Sequence, residues 1–496
     1  MALLNIFLLS PSLVLFVCTI VLLYLINRHS HRARINYPPG PTPLPIIGNL
    51  HQLDRKRIYK SLFELSEKYG SVYSIQIGAT KAVVLVGYET VKDALVHHPT
   101  EFMGRPFIPV IHMLKEGSGV TWSNGEPWKQ MRRFVLSTLR DFGMGKKSIE
   151  ERINEEAGFL VAVIESYKGQ PFDASIILNS ATANIICSIL FGHRFDTEEE
   201  TFLSLVKMTN DNFKLLASPM LQIFNSYPFL RFLPGVHRKV FQYSKETKTL
   251  LNNIINQRRS TLNEGNVSGL IDRFLVKQKE ESGNPDTLFH DKNLLIATHD
   301  LFAAGMDTTA TTLRWGLLLM MKYQEIQKRV QEEIDQVIGS KRCPRMEDQK
   351  HMPYTRAVIH EVQRFANIAP MGVPRETTVD INFRGYFIPK GSCIFPLLTS
   401  VLYDKTQWEK PDEFNPAHFL DEEGKFVNKD AFMPFSAGRR ICAGETLAKV
   451  ELFLFFSTML QRFHLHAPPS VTNLDITPAV GAILMPKPHK MCAVPR

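Results

Sequence analysis

The stretch "MPFSAGRRICAG", residues 433–444, decides how the rest of the chain is read. Cys442 stands between Gly438 and Gly444, two residues after Arg440, and no neighbouring cysteine makes it half of a CxxC pair. The run behind it, "ETLAKVELFLFFSTMLQRF" (445–463), has the pattern of an apolar helix. The cysteine therefore sits on a glycine-rich bend at a helix start, among cationic side chains, where a thiolate is electrostatically favoured.

A lone cysteine can serve as a nucleophile, a zinc ligand, or a heme or iron–sulfur ligand. Zinc and iron–sulfur sites need several Cys or His at close spacing, and Cys18, Cys187, Cys343, Cys393 and Cys492 are all remote. A nucleophile needs a base, and no local signature places a histidine for it. An axial heme thiolate needs one cysteine, glycines that let a flat macrocycle approach, cations for the propionates and amide N–H groups for the sulfur. A cysteine beside glycine is by itself more often inert core. The full FxxGxRxCxG spacing (Phe435, Gly438, Arg440, Cys442, Gly444) reverses that.

This run resembles that of the cytochromes P450, specifically the microsomal family 2 enzymes. The resemblance spans nearly the whole chain, from "PPGPTPLPIIGN" (38–49) to "PAVGAILMPKP" (478–488), and "LFAAGMDTTATTLRWGLLLM" (301–320) is similar to subfamily K. It implies the P450 fold: mainly α with minor β, one large domain behind an N-terminal transmembrane anchor. It also implies heme b as cofactor, with Cys442 as the axial iron ligand. The implied activity is a monooxygenase that puts one atom of O2 into a lipophilic substrate, whether fatty acid, steroid or xenobiotic, with fatty acids slightly favoured. Electrons would come from NADPH through NADPH–cytochrome P450 reductase, with cytochrome b5 as a second candidate donor.

In "HDLFAAGMDTTATT" (299–312), Gly305 interrupts an apolar helix at a cost of about 1 kcal/mol relative to alanine. Thr308 follows Ala304 by four residues, so its hydroxyl can bond that carbonyl, bending and widening the turn. Asp307 and Thr308 then suit proton delivery. A helix-satisfying threonine with Asp307 in a structural ion pair explains this stretch equally well. The family's (A/G)GxDT pattern favours the relay, with Ala304 facing the open coordination site.

"HEVQRF" sets Glu361 and Arg364 three apart on one helix face. Spacing alone makes them a surface pair worth well under 1 kcal/mol. The resemblance implies the ExxR pair that locks the core beneath the heme. Where the family often adds an arginine, "PDEFNPAHF" has His418, which predicts a weaker or pH-dependent third contact. "GEPWKQMRRF" puts Trp128 and Arg132 four apart, where an indole N–H and a guanidinium can hold a propionate. The likeness adds Arg105, Arg375 and Arg440 as propionate contacts, Arg375 replacing a more usual histidine.

The chain has 496 residues and a net charge of +9, with dispersed basic residues and no zinc-finger or zipper spacing, which argues against nucleic acid. Leu3–Ile26 carries no charge; about 24 residues at ~1.5 Å each reach ~36 Å, enough for a bilayer core. Arg28, Arg32 and Arg34 behind it predict a body on the cytosolic side, and the resemblance implies the endoplasmic reticulum membrane. Unpaired cysteine usage agrees with a reduced compartment. The expected division is an anchor over 1–27, a basic and proline-rich stiff linker over 28–50, and the catalytic domain over 51–496.

Within the body, long helices are expected near 126–140, 148–168, 176–191, 238–260, 293–322, 323–338, 354–366 and 445–462. A hairpin is expected around Gly78, with short strands near 379–389 and 480–486. Lys129, Arg133, Arg140, Lys146, Lys147 and Arg439 form an expected docking face for an acidic electron donor. Segments 106–120, 299–304, 368–374 and 478–484 are expected to line the pocket, with His299 and Asp300 able to orient a polar end. Two rival functions remain: a reductase-independent heme-thiolate isomerase or dehydratase, and a non-catalytic heme protein that binds lipophiles or senses gas. The retained Asp307–Thr308 pair argues against both.

Overall fold

The computed structural model describes residues 36–496, apart from 55, 144–146, 217 and 482, together with residues 15, 16, 18, 19 and 22. The expected anchor lies almost wholly outside the described residues. Among those described, no helix is long and apolar enough to cross a membrane.

Helix α1 (Ile58–Tyr69) ends at Gly70, whose φ of 86° suits glycine and turns the chain into a hairpin of β1 (Val72–Ile77) and β2 (Thr80–Leu85). Then follow α2 (Tyr88–Lys92), α3 (Pro109–Lys115), α4 (Gly125–Asp141), α5 (Lys147–Ser166), α6 (Ser175–Leu190), α7 (Glu200–Leu216) and α8 (Pro219–Ser226). Next come α9 (Val236–Ser260), α10 (Leu270–Glu280), α11 (Asp291–Lys322), α12 (Gln324–Val337) and α13 (Pro353–Ala366). The chain closes with β3 (Arg375–Glu376), β4 (Ile381–Phe383), β5 (Tyr386–Ile388), β6 (Cys393–Pro396), α14 (Leu398–Leu402), α15 (Glu445–Arg462), β7 (Phe463–His466) and β8 (Cys492–Pro495).

The main sheet has the order β1-β2-β6-β3, with β2 and β6 parallel and the other pairs antiparallel. The largest core joins α5, α6, α11 and α15. α6 is apolar on nearly every side because it is buried on nearly every side, from Leu178 through Leu190. α11 lies along it, and the two approach closely: Thr182 Oγ1 donates to Met306 O at 2.8 Å.

Three expectations are corrected. Among the described residues of 480–486 there is no strand; an isolated bridge, Pro478↔Pro486, lies there, and the terminal pairing is β7 with β8. α7, α8 and α10 were not anticipated: α8 and α10 are short, α8 begins at Pro219, and the polar run Asn210–Asp211–Asn212 interrupts α7. The proline-rich segment is no free spacer from Asn36 on. Ser74 N donates to Pro39 O (2.6 Å), Asn49 N to Gln76 O (2.6 Å) and Phe387 N to Asn36 O (2.7 Å). Gly40 is required there, because a Cβ would stand 1.9 Å from Ser74 O.

Candidate functional site

The bend before α15 is shaped by its neighbours. Gly438 has φ 72°, and a Cβ on it would sit 1.9 Å from Leu95 O, so glycine is needed to press the loop onto that backbone. Gly444 is different. A Cβ there would meet only Cys442 Sγ, at 3.9 Å, and this leaves room beside the sulfur. Cys442 N donates to Phe435 O (3.1 Å), fixing the turn.

Cys442 is accessible at its surface although protein crowds it on most sides, so the thiol lines a recess. Burial pushes its pKa up, and Glu445 adds to this; the amides of Gly444 and Glu445 and the Arg132 charge pull it down without prevailing. The helix-start amides and the Arg132 charge expected to favour a thiolate are both present, and burial opposes them.

Four guanidiniums gather beside this bend. Arg440 Nε donates to Met103 O (2.9 Å) and Nη2 to Ser123 O (2.8 Å). Arg105 Nε donates to Thr121 O (3.0 Å) and Nη1 to Pro374 O (2.8 Å). Arg375 Nη2 reaches Ser436 Oγ (3.1 Å), and Arg132 Nη2 reaches Ile441 O (2.6 Å), next to the cysteine. Among the described residues none of the four pairs with a carboxylate. Burial, then mutual repulsion, holds Arg375 down at about 10 and Arg440 at about 9, and pushes Arg105 well below its ordinary value. Trp128 Nε1, Arg375 Nε and Arg440 Nη1 are buried donors with no acceptor. Buried cations and orphan N–H groups without an anion are costly. A dianion with several acceptor oxygens answers both, so the residues fit the propionates of a heme.

Asn124 belongs to this cluster and was missed in the sequence. It stands at the N-cap of α4, yet its side chain does not cap. Its Oδ1 accepts from Arg105 N (2.8 Å) and Arg440 Nη2 (3.1 Å), and its Nδ2 donates to Arg105 O (2.8 Å). A polar residue at a helix start reads as a cap, so only the folded contacts separate the two roles.

On α11, Thr308 Oγ1 donates to Ala304 O at 2.8 Å, as expected. Ala304 is exposed within a helix that is otherwise mostly buried, so it faces an interior space. The helix stays α across Gly305, and the reason for that glycine is packing: a Cβ would lie 3.0 Å from Ile186 Cγ1 of α6. Asp307 is fully buried and neither carboxyl oxygen has a partner. Burial raises its pKa to about 6 against the pull of Arg314 and Lys214. Thr308 and Asp307 are thus sequence neighbours with separate surroundings.

Glu361 and Arg364 are no surface pair. Both are fully buried and joined at 2.7 and 2.8 Å, and Arg364 also donates to the carbonyls of Leu402, Pro411 and Glu413. His418 Nε2 accepts from Lys410 N (3.3 Å), which leaves Nδ1–H to donate to Glu361 (3.3 Å). A neutral imidazole satisfies both ends.

The four apolar stretches are tied together. Leu484 N donates to Ile368 O (2.9 Å), and Arg105 Nη1 holds Val373 O (3.3 Å). Asp300 cannot orient a ligand: its carboxylate accepts from Val120 N (3.0 Å), Thr121 N (3.0 Å), Thr121 Oγ1 (2.8 Å) and Lys115 Nζ. It anchors the 119–121 turn to α11. His299 is held neutral by burial beside Lys115 and Lys248, its pKa lowered to about 3. Of the expected docking residues, Lys129, Arg133, Arg140 and Arg439 line one surface groove with Trp128 and Arg132. Lys147 begins α5 outside it, and Lys146 lies outside the described residues.

The family model described as Cytochrome P450 matches residues 38–493. Cytochrome P450 2K6 of Danio rerio is 50% identical over 457 residues, covering 91% of this chain and 90% of its own. Cytochrome P450 2K4 of Oncorhynchus mykiss is 50% identical over 467 residues, 92% of each. Cytochrome P450 2C8 of Homo sapiens is 46% identical over 489 residues, 98% of this chain and all of its own.

Proposed function

The chain belongs to the cytochrome P450 family and is a heme-thiolate monooxygenase with heme b as its cofactor; from that premise we propose which residues do what, on which substrates and with which partners. Cys442 is the axial iron ligand. Arg105, Trp128, Arg375 and Arg440 hold the propionates, and Arg132 both contributes to them and clamps the cysteine bend through Ile441. The observation that carries this is the cluster of buried guanidiniums and orphan donors without a carboxylate. When bound, the heme supplies O2 activation: one oxygen atom enters the substrate and the other leaves as water, with NADPH giving two electrons.

The protein manages water and protons. Thr308, its hydroxyl beside Ala304 O, orients a proton donor at the face of α11 that Ala304 opens. Asp307, with its pKa near 6, holds and releases a proton close to neutral pH. Glu361, Arg364 and His418 keep the core beneath the cofactor rigid and take no part in chemistry.

Lipophilic compounds are the proposed substrates, fatty acids among them, since the lining stretches are largely apolar and of their two carboxylates Asp300 is spent on the turn and the exposed Glu116 pairs with Lys292. The electron donors are NADPH–cytochrome P450 reductase and, secondarily, cytochrome b5, docking on the basic groove around Arg133 and Arg439. The proposed location is the endoplasmic reticulum membrane with the body in the cytosol, anchored by 1–27, with 28–50, packed against the body from Asn36 on, as the connecting segment and 51–496 as the catalytic domain. An exposed apolar patch supports this. Ile46, Phe229 and Phe232 are 71%, 67% and 67% exposed, and Tyr227 OH on Ile46 O brings the two segments together.

The deciding experiment is the reduced carbon-monoxide difference spectrum of the enzyme and of Cys442→Ala. A strongly red-shifted Soret band lost in the variant supports the ligand assignment; a histidine-like band in both overturns it. Turnover of a fatty acid with NADPH and reductase then tests substrate and donor together.

A further inference from the structure

A second set of cations, apart from the guanidiniums of the cysteine bend, meets where α3, α9 and α11 come together. Val110 of α3 and Val240 of α9 share a small apolar core, which sets the two helices side by side. Lys115 ends α3; its side chain is 13% exposed, and its ammonium donates to the fully buried carboxylate of Asp300 on α11. Lys248, half-buried on α9, donates to the carbonyl of Leu114, the residue before Lys115. Lys292 of α11 pairs with Glu116, the residue after it. Three ammoniums thus share two carboxylates, and among the described residues Lys248 is the one with no carboxylate partner. An ammonium has three donors, and this one spends a single donor on a carbonyl. Burial, with the Lys292 charge behind it, holds the Lys248 pKa below its ordinary value, so an anion against it is favoured. His299, next to Asp300, is half-buried, and among the described residues its ring makes no hydrogen bond.

We propose that Lys248 is a specificity-determining residue: it anchors the carboxylate of an acidic lipophile, such as a fatty acid, at the α3–α9–α11 corner. The corner adjoins two of the apolar stretches, 106–120 and 299–304, to which Lys115 and Asp300 belong. Asp300 precedes Ala304 by four residues, one turn on the same face of α11 and about 6 Å along its axis. A carboxylate held at this corner leaves its chain to run toward Ala304, so oxidation falls on carbons remote from the acid group. The inference rests on the reading of lipophiles as substrates, and the experiment separates the two.

Spin-state titration of the holoenzyme with dodecanoic acid and with its methyl ester separates charge from shape. Lys248→Met should weaken binding of the acid about tenfold and leave the ester near the parent value. Lys248→Glu should weaken the acid further, Lys248→Arg should keep it, and all three should keep the carbon-monoxide band. In turnover of the acid, Lys248→Met should spread the product over more carbon positions. Equal losses for acid and ester would mean that Lys248 only fastens α3 to α9, and overturn the anchor, as would unchanged binding of the acid in Lys248→Met. A parent that binds the ester and not the acid overturns the anchor and leaves the lipophile reading standing; one that binds neither overturns both.

Discussion

The Arg440 guanidinium lies over the Trp128 ring, 3.7 Å from its centroid, and each partner keeps one N–H unspent. The stack orients both donors without using them, which suits a site built for an incoming anion. Arg440→Leu removes the stack and a charged donor together. A charge-assisted hydrogen bond is worth about 1.5–3 kcal/mol, so heme release should quicken roughly ten- to a hundredfold. Trp128→Phe keeps the stack and should cost less. Heme transfer to an acceptor globin measures both; equal rates for parent and Arg440→Leu would refute the assignment.

Asp307 gives a pH signature. Its pKa is raised from 3.8 to about 6, so the native state binds that proton more tightly than the unfolded chain. The sign follows: stability is highest below about pH 4 and falls as pH rises through about 6. The loss at neutral pH is on the order of 3 kcal/mol. Asp307→Asn should therefore raise the melting temperature at pH 7.4, with the gain shrinking toward pH 4. Turnover should drop by roughly two orders of magnitude. A variant that is both less stable at pH 7.4 and fully active contradicts the burial argument.

Gly305→Ala should destabilise by about 1–3 kcal/mol, because its methyl meets Ile186 Cγ1 at 3.0 Å across the α6–α11 crossing. Repeated in an Ile186→Ala background, the same change should lose its cost and stabilise by up to about 1 kcal/mol, the helix preference of alanine. Strict additivity in denaturant melts would show that the contact is not the cause.

Arg364→Ala leaves Glu361 buried with only Asn415 N and His418 to answer it, and empties the acceptors at Leu402, Pro411 and Glu413. Breaking such a pair costs about 3–5 kcal/mol. The yield of folded holoprotein should collapse, whereas His418→Ala, which removes the hydrogen bonds to Lys410 N and Glu361, should cost about 1–3 kcal/mol.

Charge reversal on the basic groove separates two neighbours. Lys129 is partly balanced by Glu126 at 3.1 Å, and Arg133 has no carboxylate partner among the described residues. Arg133→Glu should slow reduction by the flavoprotein more than Lys129→Glu does, at least tenfold at low salt, and the difference should shrink as ionic strength rises. Unchanged stopped-flow reduction in both would move the docking surface elsewhere.

Local signals in the chain were strong where a motif carries its own geometry. Gly70 and Gly78 mark a helix end and a hairpin turn through backbone conformation that glycine adopts freely. The Thr308–Ala304 bond follows from four-residue spacing on a helix. Asn124 was opaque because a cap and a buried clamp use the same residue type in the same place. Asp300 reads as a pocket acid in one dimension and is a turn anchor in three, since its donors at 120 and 121 are distant in sequence. α8 and α10 stayed hidden because helices of 8 and 11 residues are held by neighbours more than by propensity, and α7 because the polar run Asn210–Asp211–Asn212 interrupts its apolar pattern.

The sequence by itself determined the family, the single cysteine in its bend, the order of the long helices and the composition of the cationic cluster, because each is set by residue type and short spacing. Only the tertiary structure decided which of those charges are buried and unpaired, why Gly438 must be glycine and what a methyl at Gly305 would crowd, and that Glu361 and Arg364 form an interior pair. Burial and long-range contact set those outcomes: a pKa, an orphan donor or a methyl-sized gap depends on atoms hundreds of residues away, which no local pattern encodes.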